Sequence, residues 1–106
     1  MPASNHYPTD NTLRKYGLTR LDFDMLLQTQ GGVCAICKRK PNGRWNVDHF
    51  HIRGWKKRKP EVRKRYVRGV VCWTCNRYFL AKGITIERAQ NVVRYLQQFE
   101  ERLGTK

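Results

Sequence analysis

The spacing of apolar positions changes along the chain, and each change marks an element. After Thr19, the apolar residues Phe23, Leu26 and Leu27 share one face of a helix. Thr19 and Asp22 stand at capping-box spacing, and Gly31-Gly32 is a stop signal. Pro41-Asn42-Gly43 is a turn signal opening a hairpin whose first strand is predicted over about Arg44 to Asp48. Tyr66, Val67, Val70 and Val71 mark the returning strand, and a short helix is expected from about Asn76. Ile86, Ala89, Val93, Leu96, Phe99 and Leu103 then recur at helical spacing between Thr85, a candidate N-cap, and Gly104, a candidate stop. They predict a C-terminal helix over about 85–103, expected to pack on the domain. Its alternative use is to present that stripe to a second copy of the chain in a homodimer. Residues 1–12 are polar, rich in turn formers and without a period, and are predicted to form a loose arm. Residues 13–106 are expected to form a single small α+β domain.

Composition narrows the setting. A chain of 106 residues, 40% of them hydrophobic, with a mean hydropathy of −0.75, builds only a marginal core, so a metal staple is expected. Twenty-two Lys and Arg against eight Asp and Glu give a net charge of +14, which calls for a polyanionic partner, most simply nucleic acid. No stretch approaches the ~20 apolar residues of a membrane span, so no membrane partner is expected. The segment Met1 to Asp10 lacks the apolar centre of a signal peptide. The expected location is therefore cytoplasmic, with reduced cysteines.

The chemistry-bearing residues are clustered. Two Cys-x-x-Cys pairs, Cys34/Cys37 and Cys72/Cys75, bracket Asp48-His49-Phe50-His51, and Asn76 follows the last cysteine directly. Four thiolates in two short pairs suit one tetrahedral zinc, with two disulfides or free thiols as the alternatives. Phosphodiester cleavage needs a base to activate water, a cation to neutralise charge and donors that hold the phosphate. His49 can serve as the base, and Asp48 and the amide oxygen of Asn76 are hard oxygen ligands suited to Mg²⁺. His51 shares a strand face with His49 and can bind the scissile phosphate. The same alternation places Asp48 on the opposite face, so Asp48 joins the site only where the strand ends or bends. Read without catalysis, the same residues are polar loop positions in a zinc-ribbon DNA-binding protein. Recruitment of His49 and His51 to a second zinc is weaker, because no cysteine remains for it.

The segments Tyr16-Gly17-Leu18-Thr19, Gln30-Gly31-Gly32-Val33-Cys34-Ala35-Ile36-Cys37, Val47-Asp48-His49-Phe50-His51 and Arg68-Gly69-Val70-Val71-Cys72-Trp73-Thr74-Cys75-Asn76 occur in that order. Together they resemble the phage recombination endonuclease VII family of the wider HNH nucleases. The resemblance implies a zinc-stapled ββα-metal core (HNH, or His-Me finger), a phage or prophage origin and a DNA endonuclease activity. It implies Asp48 and Asn76 on a catalytic Mg²⁺ or Mn²⁺, His49 as general base, His51 beside the scissile phosphate, and structural zinc on the four cysteines. The family's founder carries an acidic residue one helical turn past the metal-binding Asn, where this chain has Phe79.

Relatives also pass from the second histidine to the Arg-Gly pair through a short loop, whereas residues 52–67 intervene here and read as a basic insertion in the hairpin. Nine of the sixteen residues from Arg53 to Arg68 are Lys or Arg. Arg53, Lys56, Lys57, Arg58, Lys59, Arg63, Lys64, Arg65 and Arg68 are candidate phosphate contacts, and Trp55 and Tyr66 are rings that could stack on or wedge DNA. The alternative is a solvated basic loop.

Overall fold

The structure, a computed structural model, describes residues 6–41 and 43–104. Its centre is a two-stranded antiparallel sheet of β1 (Asn46–His49) and β2 (Val67–Val71). Helices α1 (Asp10–Lys15) and α2 (Arg20–Thr29) cover it from the N-terminal side. Leu13, Leu18, Phe23, Trp45, Val47, Val70 and Val71 form the core, together with Cys34 and Cys75. The predicted capping box of α2 is present: the Thr19 side chain accepts from the Asp22 amide and the Asp22 carboxylate accepts from the Thr19 amide. Gln30, at the end of α2, ties that helix to the sheet. Its amide nitrogen donates to the carbonyls of Val33 and Val70, and its amide oxygen accepts from the Val70 N–H. A Cβ on Gly69 would lie 2.9 Å from that oxygen, so only glycine leaves the bridge undisturbed.

Three expectations are corrected. The described part of residues 1–12 is not a loose arm. Thr9 caps α1, the Tyr7 ring packs 5.1 Å from Phe23, and the Tyr7 hydroxyl donates to Asp24. Residues 1–5 lie outside the described residues, as does Asn42 of the predicted turn. The first strand starts at Asn46 rather than Arg44, because the Trp45 amide donates to the His6 carbonyl and Arg44 to that of Tyr7. Residues 52–67 join the two paired strands. They hold a 3₁₀ turn at Trp55–Lys57 and helix α3 (Pro60–Arg65), whose first turn Pro60 pre-sets by its fixed φ. Finally, the C-terminal helix α5 (Ile86–Leu103), capped by Thr85 and stopped by left-handed Gly104, forms as predicted but buries none of its residues. Leu96, Phe99 and Leu103 stay more than half exposed. With α5 projecting, the radius of gyration is 16.2 Å, above the roughly 13 Å of a compact chain this long.

Past β2, a single helical turn, α4 (Trp73–Cys75), runs straight into a π-helical turn at Asn76–Leu80, closed by the Ala81 amide on the Asn76 carbonyl at 2.7 Å. The short helix expected near Asn76 is this pair of turns. Gly17 holds the insertion against the body: its φ is +74°, and a Cβ there would lie 2.2 Å from the Pro60 carbonyl oxygen.

Candidate functional site

The two knuckles meet beside the sheet. The four sulfurs of Cys34, Cys37, Cys72 and Cys75 lie within 4.8 Å of one another, and the four are not joined as disulfides. A ZnS₄ tetrahedron with bonds of about 2.3 Å has edges of about 3.8 Å. Cys37 Sγ and Cys72 Sγ stand 3.8 Å apart, so the cluster fits zinc in donor type and spacing. Burial pushes the Cys34 thiol up, but amide hydrogen bonds from Cys37, Cys72 and Ile36 outweigh it and bring the pKa down to about 6. Burial and the neighbouring sulfurs push the Cys75 thiol up. Four thiolates at this spacing need a cation to share their charge.

On the sheet, the register breaks between Asp48 and His49. Asp48 faces Gly69 while His49 faces Val67, leaving Arg68 as the extra residue on β2. The ladder thus turns irregular at the end of β1, next to Asp48. The irregularity aims Arg68 back across the strand: Nε donates to Asp48 Oδ2 at 2.7 Å and an Nη to Oδ1 at 3.0 Å. Asp48 is, among the described residues, the buried charged one, and Arg68, expected on phosphate, is paired with it. The half-buried Asn76 begins the π turn, with its amide bonded to the Cys72 carbonyl.

His49 sits in an aromatic enclosure. Its ring centroid lies 4.5 Å from that of His51, 4.1 Å from Trp55 in a stacked arrangement, and 5.4 Å from Tyr16. Trp55 was expected to meet DNA, yet it is buried, because the 3₁₀ turn folds its indole inward onto His49 and Tyr16. Burial lowers the His49 pKa, and the neighbouring His51, Arg68 and Lys15 reinforce that shift against the pull of Asp48. Burial and Asp48 together raise the Tyr16 pKa. Tyr16 was not singled out as a site residue, because a ring three residues before a helix cap carries no chemical signal until the fold sets it beside His49.

The basic insertion divides in two. Lys64 pairs with Asp22 at 3.0 Å, and the Arg63 guanidinium donates to the carbonyls of Arg58 and Arg14, so both are engaged within the fold. Arg53, Lys56, Lys57, Arg58, Lys59 and Arg65 are exposed. Tyr66 is half-buried and stacks with Phe50 at 6.4 Å.

The sequence profile of recombination endonuclease VII matches residues 9–98, a span that holds the thiolate cluster and the Asp48–His51 segment. The chain belongs to the recombination endonuclease VII family. A Gene 59 protein of Mycobacterium phage D29 is 36% identical over 90 residues, covering 81% of this chain and 47% of that protein. A Gene 59 protein of Mycobacterium phage L5 is 38% identical over 71 residues, covering 64% of this chain and 36% of that protein. The chain thus spans less than half the length of these curated relatives. No solved structure matches it. Among the described residues of this endonuclease VII family member, no helix is long and apolar enough to cross a membrane.

Proposed function

We propose that the chain is a metal-dependent DNA endonuclease with a single HNH-type ββα-metal domain at residues 13–106, phage or prophage encoded and acting in the host cytoplasm. The observation that carries this reading is the broken register at Asp48/His49, beside a half-buried imidazole and on the strand that touches the turn beginning at Asn76. His49, held neutral by burial, takes a proton from water at a ring nitrogen as the water oxygen forms its bond to phosphorus. The bond to the leaving sugar oxygen breaks, and that oxygen is protonated by solvent. His51, whose ring lies 4.5 Å from that of His49, donates to the phosphate. Asp48 and Asn76 offer a carboxylate and an amide oxygen, a donor set that fits Mg²⁺ or Mn²⁺ once Arg68 releases one Asp48 oxygen. A cation there would neutralise charge on the phosphate. The exposed cations of the insertion hold the backbone, and Lys64 and Arg63 brace it.

One observation favours a second reading, a zinc-ribbon DNA-binding protein without catalysis: both Asp48 oxygens are already bonded to Arg68. Nicking of supercoiled plasmid with Mg²⁺ separates the two. His49→Ala is expected to slow cleavage by about 10² to 10⁴ with zinc content and DNA affinity retained. Cleavage at the wild-type rate by folded His49→Ala protein would leave the binding reading standing. The exposed stripe of α5 supports a homodimer, for which light scattering should give twice the chain mass.

A further inference from the structure

A groove runs along the zinc knuckles, with Cys37, Cys72 and Cys75 in its lining. It has a volume of about 690 Å³, and Arg39, Lys40, Arg44, Asn46, Trp73 and Phe79 contribute to its walls. None of these was among the expected site residues, and Trp73 and Phe79 do not serve the core: they are 55% and 53% exposed, on a chain whose other two tryptophans are buried. Their placement follows from the backbone. Trp73 opens the α4 turn between two zinc-ligand candidates, and the π turn, which closes one residue later than an α turn, carries Phe79 to the same wall. Arg77 lies 5.5 Å over the Trp73 ring, adding a cation to that platform.

We infer that this groove binds an unpaired stretch of the nucleic acid strand beside the scissile bond, with bases stacking on Trp73 and Phe79 and phosphates on Arg39, Lys40 and Arg44. The inference rests on the nuclease reading for its substrate and extends it to a second subsite. Three features favour this occupant. Flat exposed rings among cations are the composition that takes single strands without base readout. A duplex keeps its base faces stacked on one another, so these rings have no partner in it. The groove also adjoins the proposed chemistry: Asn46 and Asp48 are two residues apart on β1, about 7 Å, and share a face by strand alternation. Cys75, on the groove wall, immediately precedes Asn76. A second copy of the chain is disfavoured as occupant, because the net charge of +14 would set like charges against these cations.

The test measures binding of (dT)₈, of a blunt 20-base-pair duplex and of the same duplex with an eight-nucleotide tail. No Mg²⁺ and no chelator are added, so that zinc stays and nothing is cut. Binding is read from the anisotropy of end-labelled DNA, because the Trp73 variants lack the exposed indole on which tryptophan quenching would depend. Trp73→Ala and Phe79→Ala should each weaken (dT)₈ about 5- to 150-fold, with a matching loss of the tail's advantage over the blunt duplex. Trp73→Leu and Phe79→Leu, which keep apolar bulk but no flat face, should behave alike and guard against loss of fold, with zinc content as the check. Equal losses on (dT)₈ and blunt duplex, or none on either, would overturn the inference. A change of mass in light scattering for the Trp73 variants would also overturn it and mark the face as a protein interface. If His49→Ala cuts like wild type, the nuclease reading falls while (dT)₈ binding still decides the groove. If the Trp73 variants bind (dT)₈ normally, the groove falls and the nuclease reading is untouched.

Discussion

The indole of Trp55 stacks on the imidazole of His49, with ring centroids 4.1 Å apart and planes 23° from parallel. A residue from the basic insertion therefore forms a wall of the proposed catalytic pocket, and the insertion and the site are one structure. Trp55→Ala is expected to lower kcat by about 10- to 100-fold, because an imidazole freed of its wall samples unproductive orientations. DNA affinity should hold, and Trp55→Phe, which keeps a flat ring, should recover most of the rate. Losing a buried Trp costs about 3–5 kcal/mol, so the comparison belongs at a temperature where zinc-loaded protein is fully folded. A parallel loss of DNA affinity would make Trp55 a DNA contact instead.

Burial beside His51 gives His49 a pH signature. Its native pKa lies below the ordinary imidazole value of ~6.5, so over that interval the unfolded chain binds more protons than the native one. Stability should rise with pH through the interval, being fully present above ~6.5 and declining as pH falls toward the native pKa. Urea midpoints measured across this range, with zinc bound and Mg²⁺ omitted, should decline less in His49→Ala than in wild type. Identical declines would mean that His49 does not resist protonation.

The thiolate cluster is expected to carry the fold. Structural zinc contributes on the order of 10–16 kcal/mol, against a total stability of roughly 5–15 kcal/mol for an ordinary domain. Cys34→Ser or Cys72→Ser should leave the chain unfolded by circular dichroism, and stripping zinc from wild type should do the same. Elemental analysis that finds active protein without zinc would contradict this.

The insertion's charges should separate by their partners. Neutralising Lys56, Lys57 and Lys59, all exposed, should flatten the dependence of log K on log salt by about 3 units. Base preference should not change, since phosphate contacts position DNA without reading it. Lys64→Ala should leave the slope near wild type and cost stability instead, because its ammonium is paired with Asp22. An unchanged slope in the triple variant would make the loop merely solvated.

The sequence by itself determined what is local or covalent. The α2 capping box, the extent of α5 between Thr85 and Gly104, and the pairing of the two strands were legible because periods, caps and β-branched runs act over a few neighbouring residues. The thiolate cluster was legible because ligand spacing is itself a sequence property. Tertiary structure decided the partners of the long side chains. Arg68 and Trp55 read as DNA contacts in a run of positive charge, but a register break turns one onto Asp48 and a 3₁₀ turn folds the other onto His49. Gln30, to which the sequence analysis gave no role of its own, joins α2 to β2 through contacts forty residues away. Arg and Trp gain as much from a buried carboxylate or ring as from DNA, and which they meet depends on chain geometry that no local pattern encodes.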